Sequence, residues 1–89
     1  MIRRTVLFSG RVQGVGFRHT TYSLAREYEV TGYVKNLPDG RVEVLIEGAN
    51  DEVDRFVACL RQEMADYIRS AEVQDGPAGG QFDLFEIRF

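Results

Sequence analysis

Hydrophobic and polar positions along the chain switch between a period of two and a period near the helical repeat, and the switches divide it into alternating strands and helices. Residues 3–12 alternate, with Val6, Phe8 and Val12 on one face and Thr5, Ser9 and Arg11 on the other. Phe17, Thr21, Leu24, Ala25 and Tyr28 then recur at helical spacing and predict an amphipathic helix laid on a sheet. Residues 31–37 read as a second strand. Leu37-Pro38-Asp39-Gly40 is a turn signal, with proline presetting φ and glycine taking the left-handed position. Residues 41–47 are the clearest strand, with Val42, Val44 and Ile46 inward and Glu43 and Glu47 outward, so strands two and three form a hairpin.

Asn50 is the expected cap of a second helix, with Asp51 and Glu52 complementing the dipole in its first turn. Val53, Phe56, Val57, Leu60 and Met64 make the buried stripe, and Cys59 lies at its edge as a small packed hydrophobe. Residues 68–74 predict a fourth strand, residues 75–80 a flexible glycine-rich loop, and residues 82–89 a last, aromatic-rich strand. The order β-α-β-β-α-β with one extra C-terminal strand predicts an α+β, ferredoxin-like sandwich. In that plan two helices cover one face of a mostly antiparallel sheet. It serves many functions, so it settles none by itself.

The segment with the most chemical content lies between the first strand and the first helix. In Gly10-Arg11-Val12-Gln13-Gly14-Val15-Gly16-Phe17-Arg18 two glycines one residue apart precede an arginine at a helix start. Glycines there permit positive φ, so consecutive N–H groups can point into one concavity. The helix adds its own unpaired N–H groups and positive dipole end, and Arg18 a planar charged fork suited to two phosphate oxygens. This is neither a Walker loop, since no Gly-Lys-Ser/Thr follows, nor a dinucleotide fingerprint, since the third glycine is missing.

Bulk properties narrow the setting. With 89 residues, 44% hydrophobic and 28% charged, the chain reads as one globular domain over residues 1–89. A net charge of −3 offers no global attraction for nucleic acid or an anionic membrane, so any anion site is local. Strand three lacks the exposed aromatics that a ferredoxin-like sheet needs to stack RNA bases. The N-terminus turns strand-like at once, without the apolar stretch of a signal peptide, and no window reaches the length of a membrane span. One cysteine precludes an intrachain disulfide, and a reduced cytoplasmic location is the expectation.

The residues 10–18 just quoted, followed by Gly32-Tyr33-Val34-Lys35-Asn36 and Asp39-Gly40-Arg41-Val42-Glu43, resemble the acylphosphatase family. These are small enzymes that hydrolyse carboxyl-phosphate mixed anhydrides. Ala25, Gly48, Ala71-Glu72-Val73 and the closing Phe-Glu-Ile pattern fit as well, so the similarity spans nearly the whole chain. The resemblance implies that Arg18 binds the phosphoryl group, assisted by main-chain N–H groups of Gln13, Gly14, Val15, Gly16, Phe17 and Arg18. It implies that Asn36 orients the attacking water. The expected partners are a small acyl phosphate and inorganic phosphate, with no nucleic acid, membrane, metal or cofactor, and the protein is expected to be a monomer. Two departures stand out: Glu29 where the family has glycine, and Tyr67-Ile68 where it has Gly-Pro. If the left-handed geometry is kept, Glu29 costs on the order of 1 kcal/mol.

An acyl phosphate suits a site this sparse. Its leaving group is a carboxylate of low pKa that needs no general acid, and phosphoryl transfer is largely positioning and charge stabilisation. His19 reads as an exposed first-turn residue rather than a base, Asp39 and Glu43 as turn and solvent-face residues, and Gln13 as acting through its N–H rather than its side chain. The competing expectation is a non-catalytic module of the same fold that holds phosphate or carbamoyl phosphate without turnover. An interaction role for Phe82, Phe85 and Phe89 ranks below both, because alternating aromatics in a terminal strand are usually core.

Overall fold

The computed structural model describes residues 1–89. Its elements are β1 (Ile2–Gly10), α1 (Phe17–Ala25), β2 (Val30–Asn36), β3 (Val42–Gly48), α2 (Asn50–Glu63), β4 (Ile68–Pro77) and β5 (Phe85–Arg88). The sheet has the order β4-β1-β3-β2-β5, antiparallel throughout except for the parallel β2–β5 pair. This is the ferredoxin-like plan expected from the order of elements, with the last strand added beside β2. Val6, Phe8, Val34, Val44 and Ile46 project from one face of the sheet and are fully buried, together with Val53, Phe56 and Leu60 of α2. Each such side chain contributes about 1.5–3 kcal/mol relative to exposure.

The same core pins the entrance to α1. Phe8 and Phe17 pack with ring centroids 5.2 Å apart, and Val12, in the connecting loop, is fully buried. The loop that carries the candidate chemistry is therefore nailed to the hydrophobic core at both ends.

Several boundaries differ from the pattern-based expectation, and each difference traces to a long-range contact. β1 stops at Gly10 rather than residue 12, because its pairing with β4 shifts register between Ser9 and Gly10. β4 runs on through Asp75-Gly76-Pro77, expected as loop, because Ile2, Arg3 and Arg4 pair with these residues. The cap of α2 is Ala49, not Asn50, and it makes no side-chain capping bond; its carbonyl accepts the Val53 N–H. Glu29 occupies no left-handed conformation, since no non-glycine residue has positive φ. The Glu52 side chain accepts its N–H at 2.8 Å, so the expected strain is absent. Tyr67-Ile68 is equally well accommodated. Both N–H groups donate to the Met64 carbonyl, and a proline at 68 would remove one of those bonds.

Glu47, expected to face solvent, is buried. β4 and β5 lie at opposite edges of the sheet, so the chain joining them crosses the helix-free face and covers it. Glu47 accepts from the Gly79 and Gly80 N–H groups at 2.9 and 3.0 Å and from Arg3 Nε at 2.7 Å. Phe89 also departs from expectation, being 91% exposed rather than core, while Phe82 and Phe85 are half-buried.

Burial pushes the Glu47 carboxyl up, but the Gly79, Arg3 and Gly80 donors outweigh it and hold it below its ordinary value of 4.5. A depressed folded pKa means the contribution is complete above about pH 4.5 and fades as pH falls towards the folded value. Glu47→Gln is expected to lower unfolding stability by about 1–3 kcal/mol near neutral pH and to flatten that acid limb. Urea titrations of both proteins from pH 3 to 7 check this, and identical curves would refute the latch.

Candidate active site

The loop between β1 and α1 is held from three sides. Arg11 donates its N–H to the Tyr67 carbonyl at 2.9 Å, and Val12 is sunk in the core. The Gln13 side chain donates from Nε2 to the carbonyls of Leu37 and Arg41, at 2.8 and 2.9 Å. This last tie corrects the expectation that Gln13 acts only through its backbone. Its carboxamide staples the loop to the β2–β3 turn, just beyond the strand end that carries Asn36.

Between these anchors the backbone takes the predicted turn. Gly14 and Gly16 have φ of 78° and 79°, and a Cβ at either position would meet nothing within 4 Å. The glycines are thus required by the dihedral angle rather than by crowding, and a side chain there costs about 1 kcal/mol or more in backbone strain. None of the N–H groups from Gln13 to Arg18 donates to a protein acceptor. The first helical bond is Thr20 N–H to the Gly16 carbonyl, at 2.9 Å. Gly16 is the N-cap and offers no side-chain acceptor, and no acidic residue stands in the first turn of α1. A run of uncommitted donors at the positive end of a helix is an anion site.

Part of this run, at Gly14 and from Gly16 to Arg18, borders a cavity of about 290 Å³ lined by Val12, Gly14, Gly16, Phe17, Arg18, His19, Asn36, Ile87 and Phe89. Of the residues singled out from sequence, Gly14, Gly16, Phe17, Arg18 and Asn36 meet there. Gln13 and Val15 do not line it; Val15 packs half-buried against the core. No acidic side chain lines the cavity. Arg18 Nη1 donates to the Arg88 carbonyl at 3.4 Å, and its guanidinium carbon lies 4.6 Å from the centroid of the Phe89 ring. Asn36 ends β2, and its Oδ1 is buried without a hydrogen-bond partner. An unsatisfied buried polar atom costs about 1–3 kcal/mol, and Asn36 Oδ1 is one of two in the structure, the other being Arg3 Nη2.

Ile87 and Phe89 escaped the sequence reading. The alternation of the last strand puts Ile87 on the core side, but only its parallel pairing with β2, Val34 opposite Ile87, carries it to this cavity. A larger hollow of about 510 Å³ lies on the opposite face of the sheet, lined by residues that include Arg3, Tyr33, Phe82 and Arg88. Its two arginines are paired, Arg3 through Nε to Glu47 and Arg88 to Glu86, although Arg3 Nη2 is buried without a partner. No group of three or more His, Cys, Asp or Glu side chains converges anywhere in the molecule as a metal site. No helix is long and apolar enough to cross a membrane.

Comparison with known proteins bears on the family and the fold. The family model described as Acylphosphatase matches residues 4–87. An acylphosphatase of Syntrophotalea carbinolica is 44% identical over 89 residues, covering 99% of this chain and 97% of the relative. One from Aeropyrum pernix is 41% identical, covering 100% and 90% respectively. Among solved structures, the crystal structure of acylphosphatase from Bacillus subtilis superposes with a TM-score of 0.90 at 30% identity, covering both chains completely. HypF of T. kodakarensis contains a similar unit, with a TM-score of 0.85 at 31% identity, but this chain covers only 12% of it. Full-length matches at this identity, on a fold with the same plan, establish that the chain belongs to the acylphosphatase family, hydrolases that act on acid anhydrides.

Proposed function

We propose that this protein hydrolyses acyl phosphates by direct, in-line attack of water on phosphorus. Arg18 and the main-chain N–H groups of residues 13–18 hold the phosphoryl group, and Asn36 orients the water. The observation that carries the reading is the uncommitted run of N–H groups beside Arg18, in a cavity with no carboxylate. Such preorganised donors stabilise charge on the equatorial phosphoryl oxygens without reorganising during the reaction. The water oxygen forms its bond to phosphorus as the bridging P–O bond breaks. The electron pair leaves on a carboxylate, and the water's protons stay with phosphate or pass to solvent. Neither an acid nor a metal is needed to activate so good a leaving group, and the carboxamide of Asn36 offers both acceptor and donor with no pKa to tune. The protein is proposed to act as a single-domain monomer in the cytoplasm, on a range of acyl groups.

Benzoyl phosphate hydrolysis at neutral pH in excess chelator is the primary test. Full turnover, inhibited competitively by inorganic phosphate, is expected. Phosphate binding without turnover would instead assign the chain to the non-catalytic class, and loss of activity with chelator would defeat the metal-free mechanism.

The division of labour is checked by two variants. Arg18→Ala is expected to weaken phosphate binding about tenfold to a hundredfold as well as slowing turnover, by loss of charged hydrogen bonds. Asn36→Ala is expected to lower kcat about a hundredfold or more while phosphate affinity stays within about twofold, since only the nucleophile loses its position. Parallel losses of both quantities in both variants would contradict the assignment. Gln13→Ala, which frees two carbonyls, is expected to reduce stability by about 1–3 kcal/mol and to weaken phosphate binding; thermal melts with and without phosphate measure both effects.

A further inference from the structure

β5 is the weakest attachment in the sheet and the one on which Arg18 leans. It is four residues long and bonded to β2 on one side only. Yet its Arg88 carbonyl accepts from Arg18 Nη1, and the next residue, Phe89, supplies the ring beneath the Arg18 guanidinium. A short edge strand needs side-chain anchors to keep one position. Ile87 and Phe85 provide two on the core side, Phe85 edge-on to Phe56 with ring centroids 5.7 Å apart. A third is on the far, helix-free side, nearer the end of the strand that meets Arg18, where the Arg88 guanidinium carbon lies 4.2 Å from the Tyr33 ring centroid and 5.6 Å from that of Phe82.

The two aromatic rings also meet each other, with centroids 5.9 Å apart. The Tyr33 hydroxyl donates to Glu43 Oε1 at 2.8 Å, which fixes the ring across the β2–β3 pair. Glu86 accepts from Arg88 Nε and Nη2 at 3.3 and 3.1 Å, which ties the guanidinium to its own strand beside Tyr33. Parallel pairing sets Tyr33 opposite Glu86 and Lys35 opposite Arg88, so the Arg88 end of β5 runs beside the end of β2 that carries Asn36. Arginine side chains carry much rotamer entropy, so a fork aimed at phosphate gains from any support that limits its choices.

We infer that Tyr33 is a positioning residue for the phosphate cradle: its ring, with Phe82, clamps Arg88, and the clamped β5 backbone fixes the Arg18 guanidinium on the other side of the sheet. The inference rests on the reading of Arg18 as the phosphate ligand. Tyr33 touches no reacting atom. Its effect reaches the site only through β5.

The test is phosphate binding by calorimetry, with benzoyl phosphate kinetics, on Tyr33→Leu, Tyr33→Phe, Arg88→Met and the Tyr33→Leu/Arg88→Met pair. Removing either half of the stack is expected to weaken phosphate binding and raise KM by about twofold to fivefold, the range of one exposed cation–π contact, with kcat changed far less. Tyr33→Phe keeps the ring and loses only the hydroxyl, so it is expected to bind as the unmodified protein does. The double variant is expected to be no worse than either single one, since both break the same contact.

Unchanged phosphate affinity in a folded Tyr33→Leu or Arg88→Met protein overturns the inference. So does a Tyr33→Phe variant as impaired as Tyr33→Leu, which would transfer the effect to the Glu43 bond. Should Tyr33→Leu not fold, the half-exposed Arg88→Met position decides the matter alone. Absence of phosphate binding in the unmodified protein would overturn the reading of the cradle itself, an outcome distinct from all of these.

Discussion

The structure depends on leaving a run of backbone donors unpaired while holding the backbone that carries them still. Each of the N–H groups from Gln13 to Arg18 has given up a protein acceptor, an arrangement that folding ordinarily avoids. It is tolerable here because the loop is open to solvent at its glycines while anchored elsewhere. Val12 and Phe17 bind it to the core, the Arg11 N–H to the β4 side, and the Gln13 carboxamide to the β2–β3 turn. Without the anchors the same donors would wander, and without the positive-φ glycines the backbone could not take this turn.

Around that constraint the two faces of the sheet divide the work. The helix-covered face supplies the rigid core and the cavity with Asn36 at its edge. The opposite face carries no helix, yet it is not idle. The chain from β4 to β5 crosses it, satisfies Glu47 with two backbone donors, and brings Phe82 and Arg88 over Tyr33. Both features serve one end, which is to deliver a four-residue strand to the far edge of the sheet in a fixed register.

Electrostatics are local in the same sense. The chain as a whole is acidic, with a net charge of −3, yet the cavity itself is lined by no carboxylate. Half of the acidic side chains stand against an arginine elsewhere, as Asp75 and Asp54 do against Arg4. An anionic substrate therefore meets a small field of oriented dipoles and one cation rather than a basic surface. Such a field acts over a few ångströms, and on the proposed reading it selects for the phosphoryl group itself.

Much of this was legible in the amino-acid order. The period-two and helical patterns fall where β1, α1, β3 and α2 form, because each has one face that must be buried. The glycines of the cradle could be recognised because positive φ has few tenants. Arg18 and Asn36 were identified through paired motifs that resemble a known family, not through any property of an isolated arginine or asparagine. What the pattern misjudged has a common cause. Asp75-Gly76-Pro77 is strand because β1 pairs with it, and Glu47 is buried because a distant loop crosses over it. Gln13 works through its side chain because the β2–β3 turn presents two carbonyls within reach. Local sequence encodes dihedral preference and the side that seeks burial. Which distant backbone arrives to satisfy a polar group, and so which residues share a cavity, was decided only when the sheet closed.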